Sequence, residues 1–202
     1  MTITDRKLRE KEEMRELILK AAMKLIKHEG IHNLSLRGIA EKIEYSPATV
    51  YLYFADKAEI IHALHVKGFE ILFSMQESVS HIADPLERLR KQGEVYMQFA
   101  LENPEYYDLM FIAQLTAEKI SEKEEWDVGM RSYQLLRDNV QECIEKGLLP
   151  QTDVDVASFA MWSFVHGMAA LIIRNRCIMI PEEHLKDITM AGLEFLHKSF
   201  NQ

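Results

Sequence analysis

The stretch that ends at Lys57 concentrates side chains that can contact a nucleic acid. Tyr51 and Tyr53 can donate phenolic hydroxyls to phosphate oxygens, and Lys57 can place an ammonium group beside them. Ala48 and Thr49 are small enough for a helix to approach base edges, where either residue can contact a thymine methyl. The residue types and their spacing therefore predict a short helix that enters a DNA groove.

Two serines extend this predicted surface. Ser35 and Ser46 are favourable N-caps, so each predicts a helix N-terminus, which is a natural site for a phosphate. Arg37 follows the first cap and can reach the DNA backbone or an adjacent groove. The predicted DNA-contacting residues are Ser35, Arg37, Ser46, Ala48, Thr49, Tyr51, Tyr53 and Lys57.

The elements that must position these residues are two short helices joined by a tight turn. Apolar residues follow Ser35 at helical spacing, and Pro47 occupies the first position of the second helix, where its missing N–H costs nothing. Two short helices that meet at a sharp angle form a helix-turn-helix. We expect the inner face of the second helix to consist of Val50, Leu52 and Phe54.

A third helix start follows at once. Asp56 is the expected cap, and Glu59 stands at the capping-box position.

Residues 12–60 resemble the N-terminal domain of tetracycline-repressor (TetR) type transcriptional regulators. The features that match are the Leu17–His28 helix closed by Gly30, the Ile39-Ala40 pair, Ser46, the run from Thr49 to Phe54, and Lys57. Family turns usually carry Gly where this chain has Glu44, so a positive φ at this position would strain the backbone by about 1 kcal/mol.

A second resemblance lies near the C-terminus. The segment Trp162-Ser-Phe-Val-His166-Gly167 is similar to the Trp-His-Gly signature of one C-terminal domain class of these regulators. The two resemblances imply a dimeric repressor that a small molecule releases from DNA. They also imply that the helix from 57 to about 80 transmits the change.

Composition agrees with an all-α protein. The chain has 202 residues, of which 48% are hydrophobic and 28% charged, with only eight Gly and five Pro. Periodic apolar stretches predict about nine helices, with a frayed N-terminus over residues 1–10 and a first helix from about residue 11. We expect a DNA-binding domain over residues 1–57 and a helical regulatory and dimerisation domain over residues 58–202.

The same composition suggests a cytoplasmic location. No run of eighteen apolar residues and no signal-peptide core are visible, so no transmembrane helix is expected. Cys143 and Cys177 fit reduced thiols better than a disulfide framework.

Charge is divided unevenly along the chain. The net charge is −8, of which residues 1–57 contribute +2 and the remainder −10. A basic surplus beside the helix-turn-helix is what phosphate contact requires, and the acidic remainder would repel DNA.

The C-terminal region is rich in aromatic residues and methionine, which suits either a core or a pocket for apolar molecules. His166 is read either as a core histidine or as a polar anchor in such a pocket. The candidate pocket residues are Tyr96, Phe99, Tyr107, Phe111, Trp126, Met130, Trp162 and His166. The last two predicted helices carry more apolar positions than one buried face needs, which favours a two-fold dimer. The candidate interface residues are Ala160, Phe164, Gly167, Met168, Leu171, Ile188 and Ala191.

No catalytic signature accompanies these features, so we expect neither an enzyme nor a cofactor. Three Glu-x-x-His spacings occur, at Glu29–His32, Glu59–His62 and Glu194–His197. Two such motifs with further carboxylates could form a di-metal site, so a helical metal carrier or enzyme is the alternative. A regulator that answers to a protein partner is a third hypothesis. The sequence favours a homodimer that binds a palindromic DNA operator and a small apolar effector, with no bound metal.

Overall fold

The structure is a computed structural model that describes residues 3–112 and 127–199. These residues form nine α-helices and one 3-10 turn, with no strand among them, so the all-α prediction is confirmed. They divide into two compact units, one formed by residues 3–68 and 108–112 and the other by residues 69–107 and 127–199.

The first unit contains three complete helices and the start of a fourth. Its elements are α1 (Ile3–Glu29), a 3-10 turn (Ile31–Asn33), α2 (Leu36–Lys42), α3 (Pro47–Tyr51) and the beginning of α4 (Lys57–Glu77). The core includes the fully buried side chains of Ile18, Ile39, Val50 and Ile60. Each of the four comes from a different helix, so this core holds α2 and α3 against α1 and α4.

The predicted helix starts of this unit are confirmed by their hydrogen bonds. Ser35 Oγ accepts from the Gly38 N–H at 3.1 Å, and Ser46 Oγ accepts from the Thr49 N–H at 3.2 Å. The Glu59 N–H donates to Asp56 Oδ1 at 2.8 Å, while the Glu59 carboxylate accepts from the Ala55 N–H at 2.6 Å. Side chains thus satisfy N–H groups that a helix start leaves without a helical partner.

The first helix is longer than the sequence predicts. The expectation of a frayed segment over residues 1–10 is wrong from Ile3 onward, because α1 begins there. Ion pairs one turn apart, Arg6–Glu10 at 3.3 Å and Arg9–Glu13 at 3.5 Å, support the exposed first turns. Long charged residues are good helix formers, so polarity alone does not predict fraying.

The second unit consists of the end of α4 and a helical bundle. Its further elements are α5 (Pro85–Glu102), the start of α6 (Pro104–Phe111), α7 (Asp127–Glu145), α8 (Val154–Ile173) and α9 (Glu182–Ser199). Side chains cap these helices too, since Asp84 accepts from two N–H groups of α5 and Asp153 accepts from two of α8. Gly93 on α5 lies against α8 and α9, because a Cβ there would be in ordinary van der Waals contact with Leu193 at 3.4 Å and Val165 at 3.7 Å.

Helix α8 is unusually apolar for its exposure. It is long and apolar enough to cross a membrane by length and composition, with a mean hydropathy of 1.8 over eighteen residues. It contains no uninterrupted run of eighteen apolar residues, since Asp155, Ser158 and His166 lie within it, and length and composition alone do not make it a membrane span. Only 22% of that window is buried within the chain, so much apolar surface is left uncovered.

Candidate nucleic-acid interface and buried polar cluster

The short helix α3 separates a buried side from an outward side. Val50 has no exposed surface and Phe54 is buried, as predicted, but Leu52 is 79% exposed. The assignment of Leu52 to the inner face is therefore wrong. Residues on an α-helix are about 100° apart, so Leu52 and Ala48, each two residues from Val50, both point nearly opposite to it. The prediction placed Val50, Leu52 and Phe54 on one side because they are two residues apart. That spacing puts side chains on one side of a strand but not of a helix.

The predicted contact residues occupy different parts of this surface. Ala48 and Tyr51 are exposed, whereas Thr49 and Tyr53 are half-buried on the flanks. The hydroxyl oxygens of Ser46 and Thr49 lie 3.0 Å apart and share a hydrogen bond. The Thr49 hydroxyl thus helps to fix the start of α3, and its methyl group is the part suited to a base contact.

The phosphate-contact candidates surround α3. Ser35 and Arg37 at the start of α2 are exposed. Lys57 donates from Nζ to the backbone oxygen of His32 at 2.9 Å, which ties the start of α4 to the 3-10 turn. An ammonium group has three donors, so this bond leaves Lys57 able to bind a phosphate as well.

The turn between α2 and α3 carries the strain that the sequence anticipates. Glu44 has a φ of 60°, in the left-handed region that disfavours residues with a Cβ. The backbone around it is well bonded, because the Tyr45 N–H donates to the Ala40 oxygen at 2.9 Å and the Glu44 N–H to the Glu41 oxygen at 3.2 Å. The turn thus keeps its conformation without the glycine usual in similar turns.

Arg15 on α1 is a positioning residue that sequence reasoning missed. Its Nη1 donates to the backbone oxygen of Tyr53 at 2.8 Å, and its guanidinium carbon lies 4.3 Å from the Phe54 ring centroid. On the next residue of α1, Glu16 forms an ion pair with Lys67 on α4. Arg15 thus fixes the chain where α3 ends, and its long-range partners leave no local sequence signal.

The second unit brings four of the predicted pocket residues together in a polar cluster. The hydroxyls of Tyr96 and Tyr107 lie 3.0 Å and 2.9 Å from His166 Nδ1. The Tyr107 hydroxyl also reaches the His166 backbone oxygen at 3.1 Å, and Trp162 Nε1 donates to the Tyr96 hydroxyl at 3.4 Å. A phenol hydroxyl can donate to Nδ1 or accept from it, so the direction of these two bonds depends on the tautomer of His166.

Burial shifts the acid–base properties of this polar cluster. It lowers the pKa of His166 below its ordinary value of 6.5 and raises the pKa of Tyr96 well above its ordinary value of 10.0. Loss of hydration disfavours the charged form in both cases. At neutral pH the cluster is therefore an uncharged set of hydrogen-bonding groups among apolar helices.

The other four pocket candidates are Phe99, Phe111, Trp126 and Met130. Phe99 is fully buried in α5, and Met130 on α7 is exposed. Phe111 belongs to the first compact unit, and Trp126 lies outside the residues that the structure describes.

The interface candidates lie on the uncovered sides of α8 and α9. Ala160, Leu171, Ile188 and Ala191 are exposed, whereas Phe164, Gly167 and Met168 are half-buried. The predicted interface residues do not include the most exposed large apolar residues of these two helices, which are Val156, Phe159 and Phe195. We call the side chains of Val156, Phe159, Ala160, Leu171, Ile188, Ala191 and Phe195 the apolar surface of the second unit.

The Glu-x-x-His spacings do not gather into a ligand set in the described residues. No group of three or more His, Cys, Asp or Glu side chains positioned for a metal occurs there. The Glu59 carboxylate is already bonded to the Ala55 N–H. The side chain of His197 lies outside the described part of the chain.

The fold and the first unit define a helix-turn-helix DNA-binding protein. Residues 18–64 match the family model of the bacterial regulatory proteins of the tetR family, and residues 89–194 match that of the tetracyclin repressor-like C-terminal domain. The chain belongs to the tetR family, and it is a transcriptional regulator rather than an enzyme.

Relatives and solved structures agree with this assignment. The chain is 26% identical over 182 residues to YobS, an HTH-type transcriptional regulator of Bacillus subtilis (strain 168), with 90% of each chain covered. It is 24% identical over 116 residues to the nicotine-responsive transcriptional repressor HdnoR of Paenarthrobacter nicotinovorans, covering 57% of this chain and 53% of HdnoR. The regulator PfmR of Thermus thermophilus has a similar fold, with a TM-score of 0.71 at 22% identity, covering 90% of this chain and 97% of PfmR.

Proposed function

We propose that this protein is a homodimeric repressor that a small apolar effector releases from a palindromic DNA operator. Residues 1–57 would bind DNA, and residues 58–202 would bind the effector and form the dimer. The observation that carries the dimer is the apolar surface of the second unit. Each remaining part of the proposal has support and a test of its own.

The dimer is supported by the two exposed aromatic residues of this apolar surface. Phe159 on α8 is 61% exposed and Phe195 on α9 is 71% exposed. Water in contact with so much apolar area is unfavourable by about 25 cal/mol per Å². A second copy of the chain presents the same surface, so a two-fold contact between copies covers both at once.

The dimer test compares charge substitutions on and off the apolar surface. Phe159→Glu and Phe195→Glu should each shift the protein from dimer to monomer in analytical ultracentrifugation. Leu8→Glu is the matched control, because Leu8 is 62% exposed on α1 and lies outside this surface. A dimer that withstands both Phe substitutions would contradict the proposed interface.

DNA recognition follows from such a dimer. Two copies of α3 related by a two-fold axis would enter successive major grooves about 34–36 Å apart. The two half-sites must then be inverted copies of one another. Methylation or hydroxyl-radical footprints that protect one half-site alone would contradict this arrangement.

The effector site is supported by the polar cluster of Tyr96, Tyr107, Trp162 and His166. Uncharged donors and acceptors among apolar helices suit a mainly apolar molecule with one or two polar atoms. HdnoR, which resembles part of this chain, is described as a nicotine-responsive repressor. A hundredfold loss of DNA affinity requires about 2.7 kcal/mol of coupling between the two sites.

The effector test uses release of bound DNA as its readout. A library of small apolar molecules is screened for loss of fluorescence anisotropy of labelled operator DNA. For an active compound, Tyr96→Phe should raise the concentration needed for release and leave DNA affinity without compound unchanged. Active compounds that act equally on wild type and Tyr96→Phe would place the effector elsewhere.

A further inference from the structure

The outward side of α3 carries an apolar residue that no known contact explains. Leu52 is 79% exposed and remains in the right-handed helical region, with φ −69° and ψ −20°. Ala48 lies one helical turn earlier, so the two side chains are neighbours on the same side. Neither side chain can donate or accept a hydrogen bond, so the outward side is apolar from Ala48 to Leu52, the residue that directly follows α3.

The chemistry of the major groove limits what an apolar surface can read. Base edges there present hydrogen-bond donors, acceptors and one apolar group, which is the C5-methyl group of thymine. A leucine at the C-terminal end of a groove-binding helix that lies against the bases would bury polar base edges without partners unless it faces that methyl group. Leucine at this position therefore selects for thymine by apolar contact.

We propose that Leu52 is a specificity-determining residue that recognises the thymine methyl group in each half-site. Ala48 leaves room beside Leu52, so that the longer side chain reaches the base. The inference rests on DNA binding by α3 and is independent of the proposed dimer interface and effector. Removal of either the leucine side chain or the thymine methyl group removes the same contact.

The test is a double-substitution cycle between protein and DNA. The probe is the duplex that the full-length protein selects from a random pool, and each thymine of a half-site is replaced in turn by deoxyuridine, which lacks only the methyl group. Burial of one methyl group corresponds to about a fourfold change in affinity. At one thymine position, deoxyuridine should weaken wild-type binding by about fourfold and leave Leu52→Ala binding unchanged.

The controls separate this contact from folding and from general DNA affinity. Leu8→Ala removes another exposed leucine, on α1, and should keep the deoxyuridine sensitivity of the wild type. Leu52→Ala should unfold like the wild type, because the side chain it removes is exposed. Equal deoxyuridine effects in wild type and Leu52→Ala at every position would overturn the proposal. A pool that yields no enriched sequence would overturn it together with sequence reading by α3.

Discussion

Replacement of Glu44 by glycine should stabilise the protein. Glu44 has a φ of 60° in the turn between α2 and α3. A left-handed conformation costs a residue with a Cβ about 1–2 kcal/mol, whereas glycine adopts it freely. Glycine also gives the unfolded chain more freedom, which removes about 0.4–1 kcal/mol of the gain. The net expectation is about 1 kcal/mol of added stability, or about 2–4 °C in Tm for a chain of this size.

The assay is urea unfolding at one fixed protein concentration, since the stability of a dimer depends on concentration. Glu44→Ala is the matched control, because it removes the carboxylate and keeps the strain. The reverse experiment is Gly147→Ala, where φ is 69° and a new Cβ would meet no atom within 4 Å. That substitution should destabilise by about 1 kcal/mol through strain alone. If Glu44→Gly is no more stable than Glu44→Ala, the conformational argument is wrong.

Three further predictions concern side chains away from this turn. Arg15→Met should lower the free energy of unfolding by about 2 kcal/mol and weaken operator binding, because it removes the hydrogen bond to Tyr53 and the contact with Phe54. In the same urea titration, Arg15→Lys should recover only part of the lost stability. Burial lowers the pKa of His166 below 6.5, so the stability that the neutral imidazole confers is present above pH 6.5 and is lost as pH falls through the folded pKa. The free energy of unfolding should therefore change less with pH in His166→Gln than in the wild type, and the same pH dependence in both proteins would contradict this. Burial raises the pKa of Cys143 to about 11, so a thiol reagent near neutral pH should modify Cys177 in the native protein and Cys143 only after unfolding, as mass spectrometry of the peptides would show.

The local signals of the sequence predicted the helix starts well. Ser35, Ser46 and Asp56 all cap helices where the sequence places them. A cap acts within four residues, so neighbouring residue types are enough to predict it. Strain at Glu44 was indicated by the resemblance, because similar turns usually carry glycine at this position.

Features that depend on distant partners could not be read in this way. Arg15 contacts residues 38 and 39 positions along the chain, and no local pattern indicates that. Leu52 was wrongly assigned to the inner face because every second residue was expected on the same side, which holds for a strand and not for a helix. The polar cluster joins residues up to 70 positions apart, so only the structure shows that His166 bonds to two tyrosines.

The exposed sides of α8 and α9 also could not be predicted from the sequence. The pattern shows that α8 is apolar on several sides, but only packing shows which sides remain uncovered. Phe159 on α8 is the largest example, and neither it nor Phe195 on α9 was among the predicted interface residues.

The most direct test of the central claim is selection of double-stranded DNA from a random pool by the full-length protein, followed by salt titration of the selected duplex. We expect an inverted repeat whose half-site centres are about one helical turn apart or a multiple of it, and an affinity that falls steeply with salt. Recovery of no common sequence at low salt would contradict the account that α3 reads DNA as part of a dimer.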